Sequence, residues 1–420
     1  MGQTGSVFDM KGPMTIEPVA ASPNAVSTAD SFQTLREIRH TLSPHYPALR
    51  AFPSRAQFVS SPLYSQIEHE LSCVLSGIEH GEHARPVKRV LPADILRIGA
   101  WNIQRGRQFD KILHMLRDDE FLAHADIILL SEVDVGMGRS HNRNVPQELA
   151  AALGYHYAFG VSYLVLGDDV KENEEGQENT LALAGQAILS RLPLSEIVSL
   201  DLPELRDKFS SKTEKRLGKK RALAACVQWN GQPLWCSTCH LDSNASPHQR
   251  RQQLSAILQE MVKHGKPVVV GGDFNTTTYD ASGKWALAKD LFHKFVFSGF
   301  DATVANYMTP ENSYEKPVFD LLNELGFVHE GFNDRSKGTY FYDVESPFAE
   351  AKLIEKVGVW PTRWLQRRLR PWQGRVPARL DWFVGRQVSA VQVGVQSADA
   401  SDHLPLFLDF KREPPAVSAW

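Results

Sequence analysis

The stretch that decides the fold runs from Val268 to Asn275 and reads VVVGGDFN. Three successive valines are typical of a buried strand. The two glycines that follow let the backbone approach its neighbours closely, and the i, i+2 spacing directs Asp273 and Asn275 toward one cavity if strand geometry persists. An aspartate suits the activation of water, and an asparagine carboxamide suits holding a phosphate oxygen. The stretch therefore predicts a buried strand that ends at a chemically active site.

Short apolar runs alternate with helical stretches from Pro92 to about Lys411, which is typical of an α/β domain. Asn230-Gly231 separates two of these runs and favours a tight hairpin, because both turn positions require positive φ. A hairpin makes its strands antiparallel, so the pattern favours a sandwich of mixed sheets over a purely parallel sheet. The predicted strands are Leu96–Ile103, Asp126–Ser131, Gly185–Ser190, Leu223–Trp229, Leu234–His240, Pro267–Gly271, Leu380–Val384 and Leu404–Phe410.

Two further predicted strands end in polar groups that suit metal binding. The run that begins at Leu96 is closed by Asn102, which can orient a phosphate, support a metal or be a plain turn residue. The run Ile127–Leu130 leads directly to Glu132 and Asp134. Hard cations such as Mg²⁺ prefer carboxylate oxygens and keep several waters, so one well-placed carboxylate can be the main protein ligand. Glu132 is therefore a metal-ligand candidate, with a solvated strand edge as the alternative.

A second set of candidate site residues consists of two histidines and two aspartates. A carboxylate such as Asp381 can hold an imidazole cationic at neutral pH, and cationic His403 would then neutralise charge on a phosphate. Asp402 precedes His403 in the sequence and would face the metal. His240 ends another predicted strand and either donates to a phosphate or leaving group or is a satisfied structural residue.

Composition and charge restrict the class of protein. The chain has 420 residues, of which 42% are hydrophobic and 23% charged, as expected for one large globular domain with appendages. The formal net charge of -3 supplies no global positive field, so any polyanion must be recognised locally. No run reaches the roughly 18 apolar residues of a membrane-spanning helix, and the first 30 residues lack the order of a secretory signal. We therefore expect a cytoplasmic protein without a transmembrane segment.

The cysteines indicate a reducing compartment, because four in a chain of this length are too few for a disulfide framework. Cys236 and Cys239 form a C-x-x-C inside a predicted strand, where their odd spacing places them on opposite faces. We expect two buried structural residues here rather than a redox or zinc site.

The chain divides into four predicted segments: a flexible N-terminal arm, a helical N-terminal extension, a catalytic domain and a short C-terminal tail. The arm is small, polar and without periodicity, and the extension has helical patterns near Ser31–Leu42 and Leu63–Gly77. The predicted segments are 1–30, 31–92, 93–412 and 413–420, in that order.

Two charged segments permit more than one interpretation. Arg206–Arg221 is rich in basic residues and is either a solvated loop or one that faces the substrate. Trp360, Trp364 and Trp372 alternate with arginines shortly before Asp381. Such a segment can bury its tryptophans in an amphipathic helix, stack the bases of a nucleic acid strand, or lie in a lipid interface.

Seven short motifs follow one another along the predicted domain. They are W-N-I-Q from Trp101, S-E-V-D from Ser131, A-I-L-S-R-L-P-L from Ala187, H-L-D-S from His240, G-G-D-F-N from Gly271, R-L-D-W from Arg379 and S-D-H-L-P from Ser401. This order resembles the endonuclease/exonuclease/phosphatase superfamily, which includes exonuclease III, pancreatic deoxyribonuclease, neutral sphingomyelinases and inositol polyphosphate 5-phosphatases. The resemblance covers about Ile95 to Phe410 and implies a four-layer α/β sandwich, in which helices flank two packed mixed β-sheets.

The resemblance implies a metal and substrate side of the site. Glu132 and Asn102 would bind or support Mg²⁺, with Mn²⁺ as a possible substitute, and Asp402 would lie at the metal side. Asn102 would also contact the substrate. Glu132 followed by Arg139 resembles a bacterial subgroup, in which this arginine would reach the phosphate or pair with an active-site carboxylate. Where many relatives read G-N-A-I-L-S this chain has Gln186, and the longer amide changes the contact with the substrate there.

The resemblance also implies the catalytic roles. Asp273 would orient or deprotonate the attacking water, and Asn275 would hold the scissile phosphate. Asp381 would orient His403, which would contact the phosphate. His240 resembles the histidine that helps the leaving group in the deoxyribonuclease and sphingomyelinase branches.

These residues predict a Mg²⁺-dependent phosphoester hydrolase, most readily a phosphodiesterase that acts on nucleic acid or a phospholipid head group by in-line attack of an activated water. An inositol-phosphate-type phosphomonoesterase is the alternative, and it is disfavoured because no basic cluster for several phosphates lies within the motifs. A noncatalytic binding module on the same fold is disfavoured because every core polar position keeps capable chemistry. The sequence names no protein partner.

Overall fold

The computed structural model describes residues 34–35, 37–85, 89–167, 176–210, 214–276, 289, 299–343, 350, 353–354, 358–370 and 374–414. The predicted N-terminal arm over residues 1–30 lies outside these ranges, as does most of the predicted tail. Among the described residues, no helix has the length and apolar character needed to cross a bilayer.

The strands of the described residues form two large mixed sheets and one small hairpin sheet. Nine strands form the first sheet, in the order β1-β2-β5-β6-β4-β3-β16-β15, with β8 paired to β5, and five form the second, in the order β14-β11-β10-β9-β7. β12 and β13 form the hairpin sheet. The strands are β1 (Thr34–Leu35), β2 (Ile78–Glu82), β3 (Leu96–Arg105), β4 (Ile127–Val135), β5 (His156–Val165), β6 (Leu183–Ser190), β7 (Leu194–Asp201), β8 (Arg216–Gly218), β9 (Arg221–Trp229), β10 (Gln232–His240), β11 (Val268–Asp273), β12 (Tyr340–Asp343), β13 (Arg375–Ala378), β14 (Asp381–Arg386), β15 (Val388–Val395) and β16 (Leu406–Arg412).

Helices cover the outer faces of both large sheets. The helices are α1 (Tyr46–Ala51), α2 (Arg55–Val59), α3 (Pro62–Leu75), α4 (Phe109–Asp118), α5 (Val145–Leu153), α6 (Pro247–Lys263), α7 (Phe300–Met308), α8 (Lys316–Glu324) and α9 (Val359–Leu369). α3, α4 and α5 bury their apolar side chains against the nine-stranded sheet, and α6 and α8 bury theirs against the five-stranded sheet. The predicted four-layer α/β sandwich is therefore confirmed.

The central core lies between the two sheets. Alternate residues of β3 and β4, such as Ile98 and Leu129, pack against Val227 of β9, Val269 of β11 and Phe383 of β14. Burial of these side chains is the main stabilising contribution, at about 25 cal/mol per Å² of apolar surface. Both sheets are thereby held together at the edge where their polar strand ends meet.

The predicted hairpin is confirmed: β9 and β10 pair antiparallel, and Asn230 and Gly231 between them have φ of 51° and 72°. Cys236 lies in the core between the sheets and Cys239 in the core under α6, so the two face opposite sides as predicted. Burial raises the pKa of the Cys236 thiol to about 12, which agrees with a structural residue.

The helix predicted over Ser31–Leu42 is wrong for the part of it that is described. Residues 34–35 form a short strand and residues 37–42 are not helical. The backbone N–H of Ile38 donates to Glu79 at 2.8 Å and that of Thr41 to Glu70 at 2.5 Å, so distant carboxylates replace the helical hydrogen bonds. The second predicted helix is present as α3. The extension is not wholly helical, because β2 joins the large sheet beside β5.

Candidate active site

Three adjacent strands of the five-stranded sheet place three predicted site residues in one row. The register pairs His240 at the end of β10 with Asp273 at the end of β11, and Asp273 with Asp381 at the start of β14. Neighbouring strands lie about 4.8 Å apart, so the row brings an imidazole and two carboxylates to one edge. The sequence predicted each strand end but not this register.

The backbone requires a glycine directly before Asp273. Gly272 has a φ of 134°, and a Cβ atom there would lie 2.3 Å from the backbone oxygen of Cys239 on β10. Asn275 also has a positive φ, of 49°. This turn folds Asn275 back, so that its backbone N–H donates to Asp273 Oδ1 at 2.7 Å and its Nδ2 to Asp273 Oδ2 at 2.9 Å. The two polar groups therefore share one cavity, as the spacing predicts.

Asp273 is a buried carboxyl group held by two amides. Its Oδ2 also accepts a hydrogen bond from Asn102 Nδ2 at 3.2 Å. Burial raises the pKa of Asp273 to about 7, with Asp381 acting in the same direction and His403 against it. A carboxyl group with this pKa can take and return a proton near neutral pH. The second Asn275 Nδ2 hydrogen bond goes to the backbone oxygen of Leu241 at 3.0 Å, so Asn275 directs its donors at the site framework.

His403 and Asp381 form a buried ion pair. His403 Nδ1 lies 2.8 Å from Asp381 Oδ2, and His403 Nε2 lies 3.8 Å from Asp273 Oδ2. Although burial opposes the charge, Asp381 and Asp273 raise the pKa of His403 well above its ordinary value. The imidazole is therefore a cation at neutral pH. Trp101 fixes the His403 backbone by donating from Nε1 to its carbonyl oxygen at 2.9 Å.

Sequence reasoning missed the two residues that position this pair. Thr339 Oγ1 accepts hydrogen bonds from the backbone N–H groups of Leu380 and Asp381, both at 3.0 Å. The ring of Tyr340 lies 4.9 Å from the ring of His403, centroid to centroid. Neither residue stands in a motif or at the end of a predicted strand, so no local pattern points to them.

Glu132 is aimed at the site by a bulge in the opposite sheet. The pairing of β4 with β6 shifts between Ser131 and Val133, and Glu132 between them has a φ of 52°. Bulges of this kind redirect a side chain and recur beside active sites. Although burial opposes the charge, the neighbouring Arg105 guanidinium lowers the pKa of Glu132 to about 2, so its carboxylate is ionised.

His240 stands between the two carboxylates that the sheets deliver. Its Nε2 lies 3.7 Å from Glu132 Oε1 and 3.7 Å from Asp273 Oδ2. Burial and then Lys220 lower the pKa of His240 to about 3, so this imidazole is neutral. Lys220, from the basic segment Arg206–Arg221, donates from its Nζ to the backbone oxygen of Leu241 at 2.6 Å. The two histidines of the site therefore carry different charges.

The predicted metal ligands fit a hard cation. The Glu132 side chain is 29% exposed, and His240 Nε2 and Arg105 Nε lie 3.7 and 3.8 Å from its two oxygens, beyond hydrogen-bond distance. Burial raises the pKa of Asp402, and the negative charge of Glu132 raises it further, so these two carboxylates repel each other. A divalent cation would relieve this repulsion. Asn102 adds an amide whose Oδ1 accepts the Gln104 N–H at 3.1 Å.

A second group, Asp273, Asp381 and His403, also brings its ligand atoms within 4.8 Å of one another. A metal ligand must be a neutral imidazole, however, and this histidine is held as a cation by Asp381. The Glu132 side is therefore the better metal position.

Arg139 lies beside the site, buried in ion pairs. Its Nε donates to Asp134 Oδ2 at 2.7 Å and its Nη2 to Asp134 Oδ1 at 3.1 Å, while Nη1 donates to Glu214 at 2.5 Å. The sequence predicts that Arg139 either contacts the phosphate or pairs with a carboxylate of the site. The structure shows Arg139 paired with carboxylates. Direct phosphate contact by Arg139 stays a prediction.

The basic segment Arg206–Arg221 faces a cavity next to Glu132. Lys208, Arg216 and Lys220 from this segment line a cavity of about 330 Å³ together with Glu132 and His240. The alternative of a purely solvated loop is wrong for these three residues. Lys212 lies outside the described residues.

The Trp/Arg segment forms α9, and its first tryptophan is not buried. Trp360 is 82% exposed, and Trp364 is half-buried. Arg363, Arg367 and Arg370 are exposed and line a shared surface hollow. The prediction of a helix that buries its tryptophans is wrong for Trp360, because only Thr362 and Leu369 of this helix are buried. Trp372 lies outside the described residues.

The sandwich and its polar edge agree with the sequence comparison. Residues 99–403 match the sequence model of the endonuclease/exonuclease/phosphatase family. The chain belongs to this family, as its motif order predicts. Members of the family are typically hydrolytic nucleases or phosphatases and generally depend on a divalent metal. No curated protein matches the chain.

Several solved structures are similar. An endonuclease/exonuclease/phosphatase from Beutenbergia cavernae DSM 12333 is 19% identical and has a TM-score of 0.46. The alignment covers 76% of this chain and 72% of the Beutenbergia chain. A 3′-5′ exonuclease from Neisseria meningitidis is 15% identical and has a TM-score of 0.43, and the alignment covers 76% of this chain and 100% of the exonuclease chain. An AP endonuclease from Archaeoglobus fulgidus is 16% identical and has a TM-score of 0.41, and the alignment covers 74% of this chain and 98% of the endonuclease chain.

Proposed function

We propose that the chain is a Mg²⁺-dependent phosphodiesterase that acts on a nucleic acid or a phospholipid head group. The observation that carries the proposal is the convergence of Asp273, neutral His240 and the cationic His403–Asp381 pair opposite the ionised Glu132. Such a constellation combines a proton acceptor, a fixed cation and an open carboxylate at one sheet edge. In-line attack of water on a phosphoester needs these three functions.

The metal would be held by Glu132, with Asn102 and Asp402 as supporting groups. When bound, Mg²⁺ supplies positive charge that neutralises a nonbridging oxygen and the charge developing on the leaving group. The conclusion that Mg²⁺ is preferred rests on the oxygen-only donor set, because softer metals favour nitrogen and sulfur ligands.

The chain's own residues divide the remaining work by charge. Asp273 accepts the proton of the attacking water, and Asn102 and Asn275 hold its carboxyl group in one orientation. Cationic His403 binds a phosphoryl oxygen, and Asp381 maintains its proton. Neutral His240 donates a hydrogen bond to the leaving oxygen. A pair of histidines whose pKa values are moved in opposite directions is typical of a site with separate roles for each.

A phosphomonoesterase for multiply phosphorylated substrates is the second candidate. The absence of a basic cluster within the motifs disfavours it, but the fold brings Lys208, Arg216 and Lys220 from outside the motifs to the cavity beside Glu132. Several fixed cations near one catalytic site are what such a substrate requires.

A substrate panel separates these candidates. Purified protein would be incubated with Mg²⁺ and supercoiled plasmid, single-stranded RNA, phosphatidylcholine or sphingomyelin vesicles, and inositol phosphates. Asp273→Ala, purified identically, controls for contaminating enzymes. Cleavage of a diester that the variant loses supports the proposal and identifies the substrate class. Release of inorganic phosphate from inositol phosphates alone would favour the monoesterase, and equal activity of both proteins would refute the assigned site.

A further inference from the structure

A polar cavity of about 330 Å³ opens beside the catalytic edge, and most of its lining residues have no role in the proposed diester hydrolysis. Glu132 and His240 belong to its described lining, whereas Asp273, Asp381 and His403 do not contribute to it. The cavity therefore adjoins the position of the scissile phosphate without being part of it.

An inserted strand builds one wall of this cavity. β8 pairs with the end of β5, with Arg216 opposite Val165 and Gly218 opposite Tyr163. The fit is close, because a Cβ atom at Gly218 would lie 2.3 Å from the backbone oxygen of Ser162. The guanidinium of Arg216 lies over the buried ring of Tyr163, 5.2 Å from its centroid. Pairing and ring contact thus fix this arginine at the cavity wall.

The described part of the lining carries a small excess of positive charge. Among the described residues, five basic side chains and four carboxylates line the cavity, and Glu132 is one of these carboxylates and the assigned metal ligand. The basic residues are Arg105, Arg139, Lys208, Arg216 and Lys220.

The arginines of the lining crowd around one carboxylate. Glu214 is paired with Arg139 and Arg216, and Arg105 Nη2 lies 3.9 Å from it. Burial and then the charge of Arg105 lower the pKa of Arg216 to about 10, so the guanidinium groups repel one another. An anion in the cavity would relieve that repulsion, and guanidinium groups suit phosphate because they donate two parallel hydrogen bonds.

Two buried polar atoms of the same cavity have no hydrogen-bond partner within the described residues. They are Gln186 Oε1 and Ser162 Oγ, and each residue is 4% exposed. Buried polar groups are nearly always hydrogen-bonded, so such atoms in a cavity wall indicate a polar ligand or water.

We propose that this cavity binds a second phosphate group of the substrate and that Arg105 and Arg216 are its main ligands. The inference rests on the proposed function, because it takes the part of the cavity beside Glu132 as the position of the phosphate that is cleaved. The substrate class is then a phosphoester that carries another phosphate a few bonds away. Such a group is supplied either by the next phosphate of a nucleic acid strand or by a small bisphosphorylated molecule.

Calorimetric binding to the full-length protein in Mg²⁺ tests this assignment without requiring turnover. The probes are thymidine 5′-monophosphate, thymidine 3′,5′-bisphosphate and inositol 1,4-bisphosphate. We expect at least one bisphosphate to bind about tenfold more tightly than the monophosphate, which corresponds to about 1.4 kcal/mol. A gain confined to the thymidine compound indicates a nucleic acid strand, and a gain confined to the inositol compound indicates a small molecule. No gain for either bisphosphate would overturn the proposal.

Two variants locate the effect. Arg216→Gln should abolish the gain for the second phosphate. Lys219→Gln is the matched control, because Lys219 lies in the same segment but pairs with Asp201 at 2.5 Å, and the gain should persist in it. Retention of the full gain in Arg216→Gln would overturn the assignment. If thermal unfolding shows that Arg216→Gln is misfolded, Arg216→Lys is tested in its place. Arg216→Lys should lose part of the affinity gain for the bisphosphate, since lysine lacks the two parallel donors of arginine. An unchanged affinity gain in Arg216→Lys would refute the proposed role of Arg216.

Hydrolysis by the wild-type protein keeps the two proposals distinct. Bis(p-nitrophenyl) phosphate carries a single phosphate and therefore tests the proposed function alone. If the protein does not hydrolyse bis(p-nitrophenyl) phosphate, but binds the bisphosphate more tightly than the monophosphate in a way that depends on Arg216, it has the second phosphate site and not the proposed activity. A protein that hydrolyses it and shows no gain has the activity and not the second site.

Discussion

Replacement of Asp381 by asparagine should reduce activity in a pH-dependent way. Asp381→Asn keeps the size of the side chain but removes the charge that holds a proton on His403, 2.8 Å away. Two unit charges about 4 Å apart at an effective dielectric constant of about 20 interact by about 4 kcal/mol. At about 1.36 kcal/mol per pKa unit, the pKa of His403 should fall by about three units in the variant.

The sign of the pH effect follows from this shift. Wild-type His403 keeps its proton to a higher pH because its pKa is raised, whereas the variant loses the proton at a lower pH. The ratio of variant to wild-type kcat/KM should therefore be higher at pH 5.5 than at pH 7.5, by at most about 100-fold, because each pH unit above a pKa lowers the protonated fraction about tenfold.

The assay is the pH dependence of kcat/KM with bis(p-nitrophenyl) phosphate in saturating Mg²⁺. Asp399→Asn is the control, because Asp399 is 85% exposed and pairs with Lys111 at the surface. It should match the wild type at every pH. A loss in Asp381→Asn that is equal at pH 5.5 and 7.5 would show that Asp381 does not act through the charge of His403.

Three other variants test the metal site, the backbone and the surface helix. Glu132→Gln should weaken Mn²⁺ binding, measured by calorimetry, by at least about tenfold; unchanged affinity would place the metal elsewhere. Gly272→Ala should lower the free energy of unfolding in urea by about 2–5 kcal/mol, because it adds backbone strain and a steric clash, whereas Gly231→Ala, with open space around its Cβ position, should cost only about 1–2 kcal/mol. Equal losses would refute the steric account. Charge reversal of Arg367 and Arg368 should raise KM for a polymeric or vesicle substrate and leave bis(p-nitrophenyl) phosphate unaffected; unchanged KM for every substrate would exclude α9 from binding.

The strands and their polar ends follow from local sequence. The valine run before Asp273 forms a buried strand, and Asn230-Gly231 forms the hairpin, because apolar runs and paired turn residues act over a few positions. Motif order then places Glu132 and His403 in one family of folds. These features depend on neighbours in the chain, which a sequence displays directly.

The rest of the site depends on contacts between distant segments. The row of His240, Asp273 and Asp381 arises from the pairing of three strands, one of which is separated from the others by more than a hundred residues. The bulge that aims Glu132 and the hydroxyl of Thr339 under Asp381 have no local signature. The wrong helix prediction over Ser31–Leu42 has the same cause, since carboxylates far along the chain take its N–H groups.

The measurement that tests the central claim most directly is hydrolysis of bis(p-nitrophenyl) phosphate by wild-type protein and Asp273→Asn. Each protein would be assayed in Mg²⁺, in EDTA and after Mg²⁺ is restored. We predict that the wild type is active, that EDTA abolishes this activity and Mg²⁺ restores it, and that Asp273→Asn is slower by about 100- to 10,000-fold. Activity that survives EDTA, or an Asp273→Asn protein as fast as the wild type, would contradict metal-dependent attack by water at this site.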